Sequence, residues 1–264
     1  MLKTIKLDLI TILRDKLFIV MASIVLGIAL LNPLIYKGLA IWAANIEGLG
    51  GQLMVNAKAF AFLSFAMSGG ASLVVMVFLP IIVYKQYSNG IVRNKIIYGR
   101  SRTEIYFSLL ISMFVVAFAV LFISSMAAFA LSLTLFPYSS AEVNVGDEIA
   151  GFFVSLFFEM LIVFFEVSLT AMFVVGLKSV ALSIVIPVAG ASIFSLLGSI
   201  VATTAPGSTL EQVVRYVDVY YLAEHIAITK YELGTFIALF ITPVCYAALF
   251  TVLGWIIFKK KDIK

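Results

Sequence analysis

Six apolar stretches of about 20 residues or more dominate this chain, over about 17–36, 60–84, 105–132, 151–176, 179–203 and 235–258. A helix rises about 1.5 Å per residue, so roughly 20 apolar residues cross a hydrocarbon core of about 30 Å. Inside lipid only a helix or a closed barrel satisfies its own backbone, and runs of this length predict helices. The expected fold is therefore all-α: a polytopic membrane protein with six transmembrane helices. Composition agrees, since 63% of residues are hydrophobic and 12% are charged, about half the roughly 25% charged share of a soluble domain. Soluble enzymes, disordered regulators and nucleic-acid-binding domains are excluded on that ground. The single cysteine, Cys245, excludes an internal disulfide and a cysteine-based metal cage. With no repeat period, low-complexity tract or polar linker, residues 1–264 read as one domain. The first run follows 16 mixed-charge residues, lacks an A-x-A-like cleavage site and precedes five further spans, so it reads as an uncleaved anchor.

Orientation follows from the basic residues. With both termini in the cytoplasm, 14 of the 18 lysines and arginines lie inside: four before span 1, five between spans 2 and 3, Lys178, and four in the tail. Such a split is a strong positive-inside signal. Eight of the 14 acidic residues fall outside, and two, Glu159 and Glu166, lie within span 4. The net charge of +4 thus conceals a polarised molecule, +10 inside and −4 outside.

Two segments are neither span nor plain loop. Residues 1–16 place Leu2, Ile5, Leu9, Ile12 and Leu13 mostly on one side at helical spacing, predicting an amphipathic interfacial helix. It serves either as a membrane-surface anchor or as a lever that feels a cytoplasmic partner. Between spans 5 and 6, Leu210, Val213, Val214, Val217, Tyr220 and Tyr221 oppose Glu211, Arg215 and Asp218, predicting a helix on the outer surface. His225, beside Glu224, has no second ligand cluster and reads as a surface histidine, so no metal site is expected. In span 5, Ala191, Ser195 and Ser199 recur every four residues, spacing that favours close helix contact, internal or between subunits. Pro80, Pro187, Pro243 and Ser68-Gly69-Gly70 are sites where spans are expected to bend.

The loop KQYSNGIVRNKIIYGRSR, residues 85–102, carries more than scattered positive charge. Asn89-Gly90 reads as a turn, Ile91 to Tyr98 as a short helix, and Gly99 as its C-cap. On that helix Ile91, Lys95 and Tyr98 share one side, and Arg93 and Ile97 another. An apolar-basic helix closed by glycines suits an element that docks into another protein; a basic lipid-facing loop is the alternative.

At this loop the chain resembles the ABC-2 type permeases, in particular the small bacterial six-span group that exports peptides, antimicrobials and other amphiphiles. Those proteins carry an E/D-F-x-x-G-T-I-x-N-x-I-x-x-G-x-S-R-x-x-I-Y-x-S-K-type stretch after span 2. The matching residues are Gly90, Ile91, Asn94, Ile96, Gly99, Ser101, Arg102, Ile105, Tyr106 and Ser108. Lys85-Gln86 replaces the acidic approach, Ile91 or Val92 stands where threonine is common, and Leu109 replaces the lysine. The six-span layout, the N-terminal amphipathic helix and the outer segment before span 6 extend the similarity over nearly the whole chain.

The resemblance implies the membrane subunit of an exporter in a bacterial plasma membrane. Two permease chains, identical or different, would pair with two ATPase subunits. Gly90, Ile91, Arg93, Asn94, Lys95, Gly99, Arg100, Ser101 and Arg102 would form a cytoplasmic coupling helix and its flanks, seated in an ATPase groove. No G-x-x-x-x-G-K-[ST] phosphate loop occurs in this chain. ATP and magnesium therefore belong to the partner, and no cofactor or enzymatic activity is expected here.

Glu159 and Glu166 are the other constellation. A charge near the bilayer centre costs about 2.5–3.5 kcal/mol on insertion scales, so both are expected to face the bundle interior or an aqueous cavity. Seven residues are about two helical turns, which sets both on one face roughly 10 Å apart. Three roles fit: a polar patch for a cationic or amphiphilic substrate, a proton relay, or interhelical hydrogen bonding. The relay would make the chain a proton-coupled secondary transporter instead, although no inverted repeat of the kind such carriers show is evident. A non-transporting scaffold is a third possibility.

Overall fold

The computed structural model describes residues 1–44, 68–135, 145–177, 179–204, 207–219, 222 and 233–260. Their regular structure is helical: α1 (Leu2–Leu13), α2 (Lys16–Ala44), α3 (Ser68–Ser88), α4 (Ile91–Ile97), α5 (Arg102–Leu135), α6 (Val145–Gly176), α7 (Val180–Thr204), α8 (Thr209–Val217) and α9 (Leu233–Lys260). No strand occurs among the described residues. Five of these helices, α2, α5, α6, α7 and α9, are long and apolar enough to cross a membrane, which makes the chain a multi-pass α-helical membrane protein. The helix at 74–88 meets α4 at a bend of 52°, and the pair passes the same test only when taken together. Ser68, Gly69 and Gly70 form the first turn of α3, while 60–67 of the expected second span lie outside the described residues. The described helices overrun the expected spans, α5 running 102–135 rather than 105–132. Polar first and last turns belong to a helix without belonging to its apolar window.

The long helices are not equivalent. More than half of the apolar window of α5 and of α6 is buried, against about a fifth or less in α2, α7 and α9. Two features let α5 occupy the centre. Its buried serines are small, and Ser112, Ser124 and Ser132 donate to carbonyls of the preceding turn at 2.7, 3.0 and 2.8 Å. They thus bring polar atoms inside without leaving them unsatisfied, and they allow close approach. α6 packs most extensively on α9, through rings such as Phe158 and Phe236, whose centroids lie 5.1 Å apart edge to face. Pro33, Pro80, Pro187 and Pro243 all lie inside helices.

One pole collects α1, α4, the first turn of α5 and the last turn of α9. Arg102 Nη1 donates to the carbonyl of Lys259 at 3.0 Å, and Trp255 Nε1 to Thr103 Oγ1 at 3.2 Å. The beginning of α1 and the end of α9 therefore lie on the same side of the bundle. Just below this pole α9 crosses α5 and α6 at Gly254, where a β-carbon would collide with the Tyr106 hydroxyl and stand 3.2 Å from Met172 Cα.

Candidate functional site

The seven-residue helix α4 is held by glycines at both ends. Gly90, its N-cap, has φ 71°, and Gly99 has φ 79°, left-handed values that β-carbons disfavour. The C-cap is Tyr98 rather than Gly99. Gly99 is the residue beyond it: its N–H donates to the Ile96 carbonyl at 2.9 Å and the Arg100 N–H to the Lys95 carbonyl at 3.1 Å. These two bonds form a Schellman motif, which ends the helix within one residue.

The expected grouping of Lys95 with Tyr98 on one side does not hold, since Lys95 is buried and Tyr98 exposed. Val92 and Lys95 point inward, Val92 joining a buried cluster with Ile105, Tyr106, Val175 and Phe258. Lys95, expected beside Tyr98 on one face, is only 5% exposed and its Nζ meets Asp8 Oδ1. Asp8 is 1% exposed, and its second oxygen accepts from Ser108 Oγ at 2.6 Å. One carboxylate thereby joins α1, α4 and α5. The opposite face of α4 is open: Arg93 and Asn94 are exposed, Ile97 is 71% exposed and Tyr98 83%. Of the remaining basic residues in the loop, Arg100 Nη1 donates to Glu104 Oε1 at 3.0 Å, and Arg102 is tied to the end of α9. Ser101 is exposed, and its hydroxyl accepts from the Glu104 N–H at 3.1 Å, starting α5.

α1 packs on the bundle through a narrow stripe. The stripe it buries is Thr4, Asp8 and Ile12, two polar residues and one apolar, while Leu2, Leu7, Ile10 and Leu13 are exposed beside Lys3, Lys6 and Arg14. Thr4 Oγ1 donates to Glu104 Oε1 at 2.8 Å, and Lys85 Nζ stands 3.1 Å from Asp15 Oδ1 just after α1. Asp8, Thr4 and Glu104 are the residues that sequence reasoning missed, and Ser108 entered only as a match to the family stretch. The only local signal was that 4, 8 and 12 share a helical stripe.

Within the spans, Glu159 is 9% exposed and Glu166 6%, both facing protein rather than lipid. Glu166 borders a small cavity of about 10 Å³ between α3 and α6, lined also by Val75, Leu79, Val163 and Thr170. The Thr170 hydroxyl there has no hydrogen-bond partner among the described residues. Burial falls along the small-residue stripe in α7. Ala191 is buried, Ser195 half-buried and Ser199 exposed, its hydroxyl returning to the Ser195 carbonyl at 2.9 Å. The last residues of the expected outer segment, including His225 and Glu224, lie outside the described residues, as does Lys178. No group of three or more metal-ligating side chains occurs among the described residues. No family model matches the chain, and no curated protein matches it.

Proposed function

We propose that this chain is the membrane subunit of an ATP-driven exporter of the ABC-2 kind, moving a peptide, antimicrobial or other amphiphile out of a bacterial cell. On this reading α3 is the second of six spans, and the pole bearing α1, α4 and the end of α9 faces the cytoplasm. The chain works with a second permease chain and with separate ATPase subunits that bind ATP and magnesium. The observation that carries the proposal is the two-sided character of α4. Its inner face is locked to α1 and α5 through Asp8, Lys95 and Ser108, while its outer face offers Arg93, Asn94, Ile97 and Tyr98. A short, rigidly mounted helix presenting one aliphatic, one aromatic and one guanidinium group is well suited to a protein groove, since aromatic and arginine anchors dominate such contacts.

The test is whether a reading frame neighbouring this chain's own encodes a phosphate-loop ATPase that co-purifies with it. Arg93→Glu, Ile97→Asp and Tyr98→Ala are each expected to weaken complex formation by about tenfold or more, the scale of an interface anchor. Unchanged complex formation and ATP turnover in all three would sink docking through this helix.

A second reading, proton-coupled secondary transport, is favoured by the two carboxylates buried in α6. Transport into vesicles driven by a proton gradient without any ATPase would establish it. Under the export reading, Glu159→Gln and Glu166→Gln are expected to change substrate preference while the protein folds and inserts normally. Misassembly of both variants would instead assign the pair to helix packing.

A further inference from the structure

Asp8, Asp15 and Glu104, the acidic side chains among the described residues at the pole of α1 and α4, are all taken by cations of the bundle. Asp8 faces Lys95, Asp15 lies 3.1 Å from Lys85 Nζ, and Glu104 accepts from Arg100 Nη1 at 3.0 Å. Lys3, Lys6, Arg14 and Lys16, in or beside α1, are left over. All four are exposed, and their side chains make no hydrogen bond or ion pair among the described residues. At the helical pitch Lys3, Lys6 and Arg14 fall within an arc of about 80°, nearly opposite the buried stripe of Thr4, Asp8 and Ile12. Leu2, Leu9 and Leu13 fall within about 40° between the two; Leu2 and Leu13 are exposed, and Leu9 is half-buried against the core. Leu7 and Ile10, also exposed, lie among the cations. The helix thus has a protein face, an apolar edge and a cationic face without a carboxylate.

Its place in the bundle chooses the partner. The α5 residues that α1 meets, Glu104, Ser108 and Ser112, belong to the first three turns of that helix, so α1 lies where α5 enters the apolar layer. α2 follows with Ile19 and Val20 exposed at its start, continuing the apolar edge along the bundle. An acidic protein surface would meet the cations alone, whereas a phospholipid layer meets the cations with its phosphates and the continuous apolar edge with its acyl chains. We propose that α1 binds the anionic headgroups of the leaflet at its own end of the bundle, and that this binding holds α4 in place. The link is Asp8, the one acidic residue of α1, which docking turns inward onto Lys95. Undocked, α1 would carry a carboxylate toward the lipid phosphates; docked, it presents cations only. An anionic leaflet therefore favours the docked helix by about one charge, roughly fivefold, and α4 is steadied with it. The proposal rests on the chain lying in a membrane and not on the export reading.

The experiment uses the full chain in neutral detergent, titrated with phosphatidylglycerol or with phosphatidylcholine of the same acyl chains, and reads binding by native mass spectrometry. Phosphatidylglycerol is expected to bind about tenfold more tightly or better, from several cations each adding a few-fold. A variant carrying Lys3→Gln, Lys6→Gln, Arg14→Gln and Lys16→Gln is expected to lose that preference and keep its melting temperature, because these side chains hold nothing in the protein. Lys259→Gln with Lys260→Gln removes exposed cations from the end of α9 and is expected to leave the preference intact. Hydrogen exchange in nanodiscs of each lipid reads the second half of the proposal. Residues 2–13 and 91–97 are expected to exchange several-fold more slowly in phosphatidylglycerol, and the fourfold variant is expected to show no such difference. Equal binding of the two lipids to the unaltered protein would overturn the site and leave the cations to an acidic protein surface. A preference that survives the fourfold variant, or is lost equally in the α9 variant, would overturn α1 as its seat. Slowing confined to residues 2–13 would overturn the hold on α4.

Discussion

Asp8→Ala is expected to destabilise the protein by about 3–5 kcal/mol, the scale for stripping one partner from a buried ion pair. The Lys95 ammonium, 5% exposed, would be left beneath α1 without its carboxylate, and Ser108 would lose the acceptor it now reaches at 2.6 Å. Lys95→Met alone is expected to be costly for the mirror reason, a buried carboxylate facing apolar surroundings with one hydroxyl donor. The double variant Asp8→Asn, Lys95→Met removes both charges at once and is expected to melt within about 1 kcal/mol of the original protein, since replacing a buried pair outright is often neutral or better. Thermal unfolding in detergent checks the ranking. Hydrogen exchange over residues 1–13 and 90–99 checks the location, because the single variants are expected to loosen both segments together. Single variants that melt like the unaltered protein would show that the contact carries no weight. The double variant also separates stability from function. If α1 and α4 must move as one body when an ATPase engages, it will fold normally, bind its partner and yet stimulate ATP turnover poorly.

This joint also shows where sequence reasoning stops. Long helices follow from the length of apolar runs, because lipid leaves the backbone little alternative. The ends of α4 follow from Gly90 and Gly99, because left-handed backbone is a local demand. That Glu159 and Glu166 turn inward follows from the cost of a carboxylate in hydrocarbon. The rotation of α4 about its own axis does not follow from anything within it. That rotation is set by Asp8, 87 residues earlier, and by Val92 packing on Phe258 at the far end of the chain. In α1 the apolar residues predicted a membrane-surface helix, but not that Thr4 and Asp8 would be the residues meeting Glu104, Ser108 and Lys95. Apolar periodicity identifies a protein's inner face when water is the only outside. A helix at a membrane surface meets lipid, water and protein, so its pattern does not say which residues meet protein. Likewise Ser195 and Ser199 fit the spacing of a packed face, but whether a neighbour lies opposite them is a property of the whole bundle.

Gly254→Leu is expected to be the most damaging substitution within the spans, and Gly254→Ala to cost about 1–3 kcal/mol, as overpacking of a filled interior does. α9 reaches its depth against α5 and α6 because position 254 has no side chain. Even a methyl group there would collide with the Tyr106 hydroxyl and come within 3.1 Å of the ring carbon bearing it and 3.2 Å of Met172 Cα. The ring lies beside Phe258 and Phe107, whose centroids are 6.0 and 5.5 Å away, and Met172 Cα is helix backbone. Tyr106→Phe separates these contributions. Among the described residues the Tyr106 hydroxyl is buried without a hydrogen-bond partner, so removing it is expected to be neutral or mildly stabilising. Combined with Gly254→Ala, it is expected to restore part of the lost stability but not all, because the contact with Met172 backbone persists. Melting of the four proteins in a double-mutant cycle measures the coupling between the two positions. Strict additivity would mean that the hydroxyl is not what Gly254 accommodates. Full rescue would mean that α9 can slide past α6, and the crossing at Met172 would then not fix its depth.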